Sequence, residues 1–165
     1  MWHKVLTDKM LKIIPATIED AILITKIKTE AFDDEIVRFG PDYDISEIWG
    51  PKWYSDPKGT EKLISEFYYY KILVANEVIG CFWLHIVGED AVELEDFCIL
   101  PKFQNNGYGY RSLIEMENIF PDKKKWILGT PYYSIRNHYL YEKAGYVKIG
   151  ESENKIAFLY EKQMK

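Results

Sequence analysis

Apolar positions recur at near-helical spacing early in the chain, at Ile18, Ile22, Ile24, Ile27, Ala31 and Phe32. A short apolar run at 11–14, closed by Pro15, precedes them and reads as a strand. Between the two stands Thr17, a residue suited to cap a helix N-terminus, with Glu19 and Asp20 favourably placed in the first turn. The spacing predicts a helix through about Phe32. From 33 to 59 the periodicity breaks into turn formers and aromatics, with Phe39-Gly40-Pro41, Trp49-Gly50-Pro51 and Asp56-Pro57-Lys58-Gly59. A long excursion is expected there, with a short helix near 46–49. Loops of this length inside a compact domain are uncommon and often functional. Thr60 then reads as the cap of a helix from 61 to about 67.

Period-two patterning follows. Strands are predicted at 69–75, 78–87 and 91–100, with turns at Asn76-Glu77 and Gly88-Glu89-Asp90, giving an antiparallel meander. A helix is expected over 107–119, a turn at 121–125 and a short buried strand at 126–128. A second helix spans 135–144, with Gly145 in the C′ position that favours glycine. Strands at 146–150 and 156–161 pair around Glu153-Asn154. The order β-α-α-β-β-β-α-β-α-β-β is an α/β chain: a mixed sheet with helices on its faces.

Composition narrows the class. A chain of 165 residues with 47% hydrophobic residues is expected to form one globular domain with a real core. No apolar run approaches the roughly 20 residues a membrane helix needs, and Met1-Trp2-His3-Lys4 leads into no apolar segment, so neither membrane nor signal peptide is expected. Cys81 and Cys98 lie in apolar strand-like runs and read as buried free thiols, which suits a reducing cytoplasm. Neither has the neighbours of a zinc ligand, so no metal is expected. The net charge of −5 and the short Lys123-Lys124-Lys125 run speak for a solvated turn and against a nucleic-acid surface.

The stretch with most chemical content is Gln104-Asn105-Asn106-Gly107-Tyr108-Gly109. It follows an apolar run ending in Ile99-Leu100-Pro101 and precedes a helix. A strand, a glycine turn and a helix N-terminus make an anion cradle, because the first helical amides lack partners and point outward. The glycines fit neither a Walker loop nor a dinucleotide fingerprint. The pattern Q-x-x-G-x-G after a strand does resemble motif A of the GNAT N-acetyltransferase superfamily. Asn137-His138-Tyr139-Leu140-Tyr141-Glu142-Lys143-Ala144-Gly145-Tyr146 resembles its motif B, and the looser resemblance spans 12–161. Thr130-Pro131-Tyr132, leading into Arg136-Asn137, is similar to a bacterial-type subgroup whose substrate the sequence does not name.

The resemblance implies a single acetyltransferase domain over 1–165. Its mostly antiparallel sheet would have six to seven strands flanked by about four helices. It implies acetyl-CoA as cosubstrate and a bulge that frees amides around Cys98, Ile99 and Leu100, with the Ile99 N–H polarising the thioester oxygen. Gln104, Asn105, Asn106, Gly107, Tyr108, Gly109 and Tyr110 would hold the pyrophosphate. Asn137 would bond the pantetheine, and Lys143 would be a solvated helix charge near the phosphates. Asn106 departs from the motif, where Lys or Arg is common; Lys102 and Arg111 are the charges at hand to replace it. Tyr141 takes the general-acid position of motif B, since a phenol with a pKa near 10 can donate to a leaving thiolate.

An alkylamine is mostly protonated at neutral pH, its pKa being about 10, so a base is expected. Glu93 and Glu95 are the candidates. Strand alternation places both on one face and turns Asp96 the other way, unless a bulge intervenes. His85 and His138 read as structural, and His3 as part of a frayed terminus. Acceptor selection falls to 33–59 and to Phe67-Tyr68-Tyr69-Tyr70. There Asp33, Asp34, Glu35, Asp42 and Asp44 stand among Trp49, Trp53 and Tyr54, a set that suits a cation. The expected acceptor is a small-molecule amine or a protein amino group, and a homodimer is compatible with this kind of fold. Two other classes remain open at this point: a CoA-binding regulatory module without catalysis, and an interaction protein of the same fold.

Overall fold

The computed structural model describes residues 10–165. His3 and the 1–4 segment read above lie outside them. Strand β1 (Leu11–Pro15) leads through a 3-10 turn (Ile18–Asp20) into helix α1 (Ala21–Phe39). Thr17 caps that turn as expected: its amide donates to Asp20 Oδ2 at 2.9 Å, in a capping box. Helix α1 continues through Phe39 rather than stopping near Phe32. Its buried face is Ala21, Ile24, Thr25, Ile27, Lys28, Ala31 and Glu35. The face keeps helical spacing but carries buried polar residues, so counting apolar positions loses it early. The helix stops at Gly40, where a Cβ would lie 2.4 Å from the Ile36 carbonyl oxygen.

The irregular stretch is correspondingly shorter than 33–59. It holds helix α2 (Ser46–Trp49), as expected, and a 3-10 turn at Trp53–Ser55. Helix α3 (Pro57–Glu66) begins earlier than the sequence suggested. Its cap is Asp56, which accepts from the amides of Lys58 (3.1 Å) and Gly59 (3.2 Å), with Pro57 at the first helical position. Thr60 is therefore inside the helix and buried, its hydroxyl 2.7 Å from that of Thr25 on α1.

The meander follows as β2 (Tyr68–Val74), β3 (Glu77–Val87) and β4 (Ala91–Ile99). The first turn is Ala75-Asn76, one residue earlier than expected, with both residues at positive φ as tight hairpins require. Helix α4 (Tyr108–Met116), strand β5 (Lys125–Pro131), helix α5 (Ile135–Lys143), β6 (Val147–Glu151) and β7 (Ala157–Gln163) complete the chain. The seven strands form one sheet in the order β1-β2-β3-β4-β5-β7-β6. All neighbours are antiparallel except β4 and β5.

Each face of the sheet has its own core. Leu113, Met116, Tyr141 and Ala144 from α4 and α5 pack on Ile72, Phe82, Leu84, Val92, Leu94 and Trp126. Ile24, Ile27 and Ala31 from α1 pack on Tyr69, Cys81, Cys98 and Leu100, with Leu63 and Ile64 of α3 beside them. Cys81 and Cys98 are free and buried, opposite one another on β3 and β4 with their Sγ atoms 3.7 Å apart. The Lys123-Lys124-Lys125 run is tied to the Glu89 carbonyl, Asp90 and Glu161. Among the described residues no helix is long and apolar enough to cross a membrane, and no cluster of three or more metal-ligating side chains occurs.

Candidate active site

Two features of β4 build the site. The first is a break in its pairing with β5, which runs from Ala91 opposite Lys125 to Leu94 opposite Leu128 and then ends. Beyond Leu94 the two strands part. The second is a bulge: the β3–β4 register shifts between Cys81 and Trp83, and Asp96 sits at φ 52°. The bulge lies after Glu95, so Glu93 and Glu95 share a face as predicted. Asp96, however, does not point the other way. Its Oδ2 accepts from Trp83 Nε1 at 2.9 Å and lies 3.9 Å from Lys28 Nζ, so the carboxylate faces α1. The left-handed conformation, which Asp tolerates better than most residues, reverses the alternation.

Of the three amides expected to be free, one faces the gap. The Leu100 amide donates to the Ile79 carbonyl at 2.7 Å, and Cys98 is in register with Cys81. Alternation then turns the backbone of Ile99 to the opposite edge, where β5 has withdrawn. The Ile99 carbonyl is indeed met on that side by Gln104 Nε2 at 2.8 Å. Burial and the Cys81 thiol raise the Cys98 pKa, the hydrogen bond to Cys81 being the larger effect, so Cys98 stays a thiol.

A cleft of about 360 Å³ opens at this edge, between α1, the end of β4 and the starts of α4 and α5. Cys98, Ile99, Gln104, Asn105, Gly107, Gly109, Tyr110, Asn137 and Lys143 all line it. Asn105 (φ 62°) and Gly107 (φ 79°) take left-handed conformations two residues apart, curling the loop before α4 into the concave form that presents amides to an anion. Gly109 serves packing: a Cβ there would meet Leu140 Cδ2 at 3.1 Å, so its absence lets α4 begin against α5.

Other side chains of the expected set work within the protein. Gln104 is a strut, giving its amide to Ile99 and accepting from Arg136 Nη1 through Oε1. Asn106 closes its own loop on the carbonyls of Gln104 (3.0 Å) and Phe103 (3.4 Å). Tyr108 packs on Phe103. Lys102 pairs with Glu77 at 3.2 Å and does not line the cleft. The basic side chains lining the cleft are Arg136 and Lys143, the latter 5.1 Å above the Tyr110 ring.

A second cavity of about 230 Å³ adjoins the first and shares Phe32, Glu35, Phe97 and Asn137 with it. Glu95 and Tyr141 line it; Glu93 lines neither, lying a step back along β4 opposite His85. Burial, then a hydrogen bond and like charge from Glu93, raise the Glu95 pKa to about 9. Burial, with Glu35 and Glu95 nearby, raises the Tyr141 pKa above the usual phenol value. Tyr141 is therefore a protonated donor throughout the neutral range. Phe32, Trp53 and Tyr54 form an aromatic wall with ring centroids 5.3–6.0 Å apart. Tyr43 and Tyr132, with hydroxyls 2.8 Å apart, tie the 40–56 stretch to the β5–α5 turn.

Glu35, expected among the acceptor-side acids, lies on α1 rather than in an irregular stretch, and Ser134 gains a place that the sequence did not give it. Glu35 bonds Arg136 Nη2 at 2.7 Å across the junction of the cavities. Ser134, just before α5, is buried in the second cavity. Helical spacing with Ile24, Lys28 and Ala31 was the available signal that Glu35 is buried on α1; none marked Ser134.

The family model described as the Acetyltransferase (GNAT) family matches residues 29–146. No curated protein matches the sequence. Among solved structures, the PaiA N-acetyltransferase of Thermoplasma acidophilum, in complex with coenzyme A, is similar with a TM-score of 0.79 at 18% identity, over 94% of this chain and 99% of that one. A GNAT acetyltransferase of Elizabethkingia anophelis with acetyl-CoA bound gives 0.61 at 20% identity, over 93% and 98%. A Salmonella typhimurium acetyl transferase that modifies the N-terminal serine of a 50S ribosomal protein gives 0.69 at 12%, over 94% and 95%.

Proposed function

Because this chain belongs to the GNAT acetyltransferase family, we propose that it moves the acetyl group of acetyl-CoA to a primary amine by direct attack on the thioester. The observation that carries this reading is the parting of β4 from β5 after Leu94. It leaves the Ile99 backbone edge facing a cleft that runs to the left-handed turn at Gly107 and opens beside a cavity holding Glu95 and Tyr141.

The residues present fit the cosubstrate. The Asn105–Gly107 curl and the unpaired first amides of α4 suit a pyrophosphate, with Lys143 and Arg136 as the nearby cations. Asn137, lining both cavities, is placed for the amide-bearing arm between them. Acetyl-CoA supplies the activated acyl group; positioning and charge stabilisation come from the chain. The Ile99 N–H is the donor for the carbonyl oxygen as it gains charge. Glu95, rather than Glu93, takes the proton of the amine, once the acceptor's positive charge lowers its affinity for its own. Tyr141 gives a proton to the departing sulfur. The acceptor is a small-molecule amine or a protein amino group, and the reaction belongs in the cytoplasm.

The test is an acetyl-CoA turnover screen over small amines and peptide N-termini, following thiol release. Release of thiol matched by N-acetyl product supports the reading. Tight CoA binding with no turnover on any amine would leave a binding module instead.

A further inference from the structure

We propose that Glu35 and Ser134 form the docking point for the acceptor's reacting amino group in its protonated form, and that the acceptor is a primary ammonium on an apolar or aromatic body. The location rests on the acetyl-transfer reading above; the argument and the test stand on other observations.

The Glu35 side chain is 9% exposed. One oxygen, Oε2, accepts from Arg136; the other, Oε1, is buried and has no partner among the described residues. Leaving a carboxylate oxygen buried without a donor is unfavourable, and a native structure that does so calls for a ligand or water there. Ser134 repeats the observation independently. It occupies the position before α5 where a serine ordinarily accepts from the first helical amides. Its hydroxyl makes no such bond, and Oγ is buried with no partner among the described residues. Both residues line the second cavity, and Glu35 lines the first as well, placing it where acceptor and acetyl group would meet.

The chemistry of the missing partner follows. An ionised carboxylate only accepts, and a hydroxyl accepts as well as donates, so one ligand group serving both must carry several hydrogens. An ammonium has three. The titratable side chains of the cavity agree: Glu35, Glu95 and Asp96 line it, and among the described residues no Lys, Arg or His does. Asp96 is already engaged by Lys28 and Trp83, which leaves Glu35 and Glu95 facing the occupant. Around them stand Phe32, Trp49, Trp53 and Tyr54, whose ring faces attract cations and whose surfaces cover an apolar body. An acceptor bearing a carboxylate near its amine would meet these two acids and be disfavoured. Glu35 thus fixes the amine by charge, and Glu95 is left to take its proton.

Trp49 and Trp53 in the cavity wall provide a readout that needs no turnover. Tryptophan fluorescence is titrated with 2-phenylethylamine, an ammonium at pH 7, and with 2-phenylethanol, which keeps the carbon skeleton and replaces the charged group. The wild type is expected to bind the amine at least tenfold more tightly than the alcohol. Glu35→Gln should abolish that preference with alcohol affinity unchanged, and Ser134→Ala should reduce it several-fold. Coenzyme A affinity, measured by calorimetry, should stay within about threefold in Ser134→Ala, whose side chain lies outside the cofactor cleft. The proposal is overturned if the wild type shows no preference, or if folded Glu35→Gln keeps it. Should Glu35→Gln fail to fold, an undiminished preference in Ser134→Ala overturns it equally. Loss of the acetyl-transfer reading would appear separately, as absent coenzyme A binding in the same calorimetry.

Discussion

Arg136 at the start of α5 donates to Glu35 near the end of α1 at 2.7 Å, and this one contact spans the line where the two cavities meet. The same guanidinium reaches Gln104, whose amide holds the Ile99 carbonyl. An acceptor-side carboxylate is thus tied through two side chains to the backbone edge on the cofactor side.

Arg136→Met should break that tie and leave Glu35 buried without its cation. Losing one partner of a buried pair costs about 3–5 kcal/mol; with the Arg136 side chain 25% exposed, about 2 kcal/mol is expected. For a domain of this size that is roughly 4–8 °C in Tm. Thermal unfolding checks it, and a Tm within a degree of wild type would show that the pair contributes nothing. Coenzyme A should also bind more weakly, because Gln104 loses its donor.

Coenzyme A should raise the Tm of the wild type, since a ligand that binds only the folded state stabilises it. Gly107→Val forces a β-branched residue to φ 79° at a site where a Cβ meets open space. The loop must therefore rearrange, while the cores are untouched. The variant is expected to fold and to lose the coenzyme A shift. Gly109→Val should lose it by another route, pushing Leu140 and separating α4 from α5. An unchanged affinity in folded Gly107→Val contradicts the cradle.

Tyr141→Phe removes one hydroxyl from a side chain packed on Tyr146 and Tyr160. General-acid help is typically worth about 10²–10⁴-fold, so kcat should fall by that order while coenzyme A affinity holds. A kcat within a few-fold of wild type would mean the thiolate leaves unaided.

Glu95 gives two pH signatures. Its folded pKa is raised to about 9, so it holds a proton that the unfolded chain releases near pH 4.5. Activity that needs the carboxylate should therefore climb from pH 7 towards 9, and Glu95→Gln should be slow at neutral pH and recover only where the amine deprotonates itself. For stability the sign is opposite. The folded state binds more protons than the unfolded between these values, so stability is full below the lower value and is lost as pH rises. Glu95→Gln should gain Tm relative to wild type as pH increases from about 5 to 9. Superimposable rate and Tm profiles for the two proteins would remove Glu95 from both roles.

The strands were legible because apolar runs between clear turn signals mark them from Tyr69 to Leu100, and α5 because Gly145 marks its end at φ 97°. The glycine turn was legible for the same reason: only certain residues accept its backbone angles. What stayed hidden was polar and buried. Lys28 and Glu35 continue the inner face of α1, yet the apolar count leaves charged residues out, so the helix was cut short and Glu35 fell in the stretch after it. The true cap of α3 is Asp56, and Pro57 after it was the overlooked sign. Asp96 was assigned by alternation to the wrong face, because nothing in a lone aspartate reveals a left-handed φ. The Glu35–Arg136 contact joins residues 101 positions apart, beyond the reach of any local pattern.

Asp96 acts on the sheet as an inserted letter acts on a reading frame. Before it, Val92 and Leu94 belong to the core beneath α4 and α5; after it, Phe97 and Ile99 do, while Cys98 and Leu100 turn to α1. Were the strand to run on through Asp96 without the bulge, every following side chain would fall on the opposite face and the Ile99 amide would turn from the cleft to β3. The cofactor edge is set by the backbone conformation at one bulge rather than by any side chain upon it. Deleting Asp96 would instead close the bulge and leave Phe97 to Leu100 on the faces they now hold, since Phe97 would then follow Glu95 opposite Phe82.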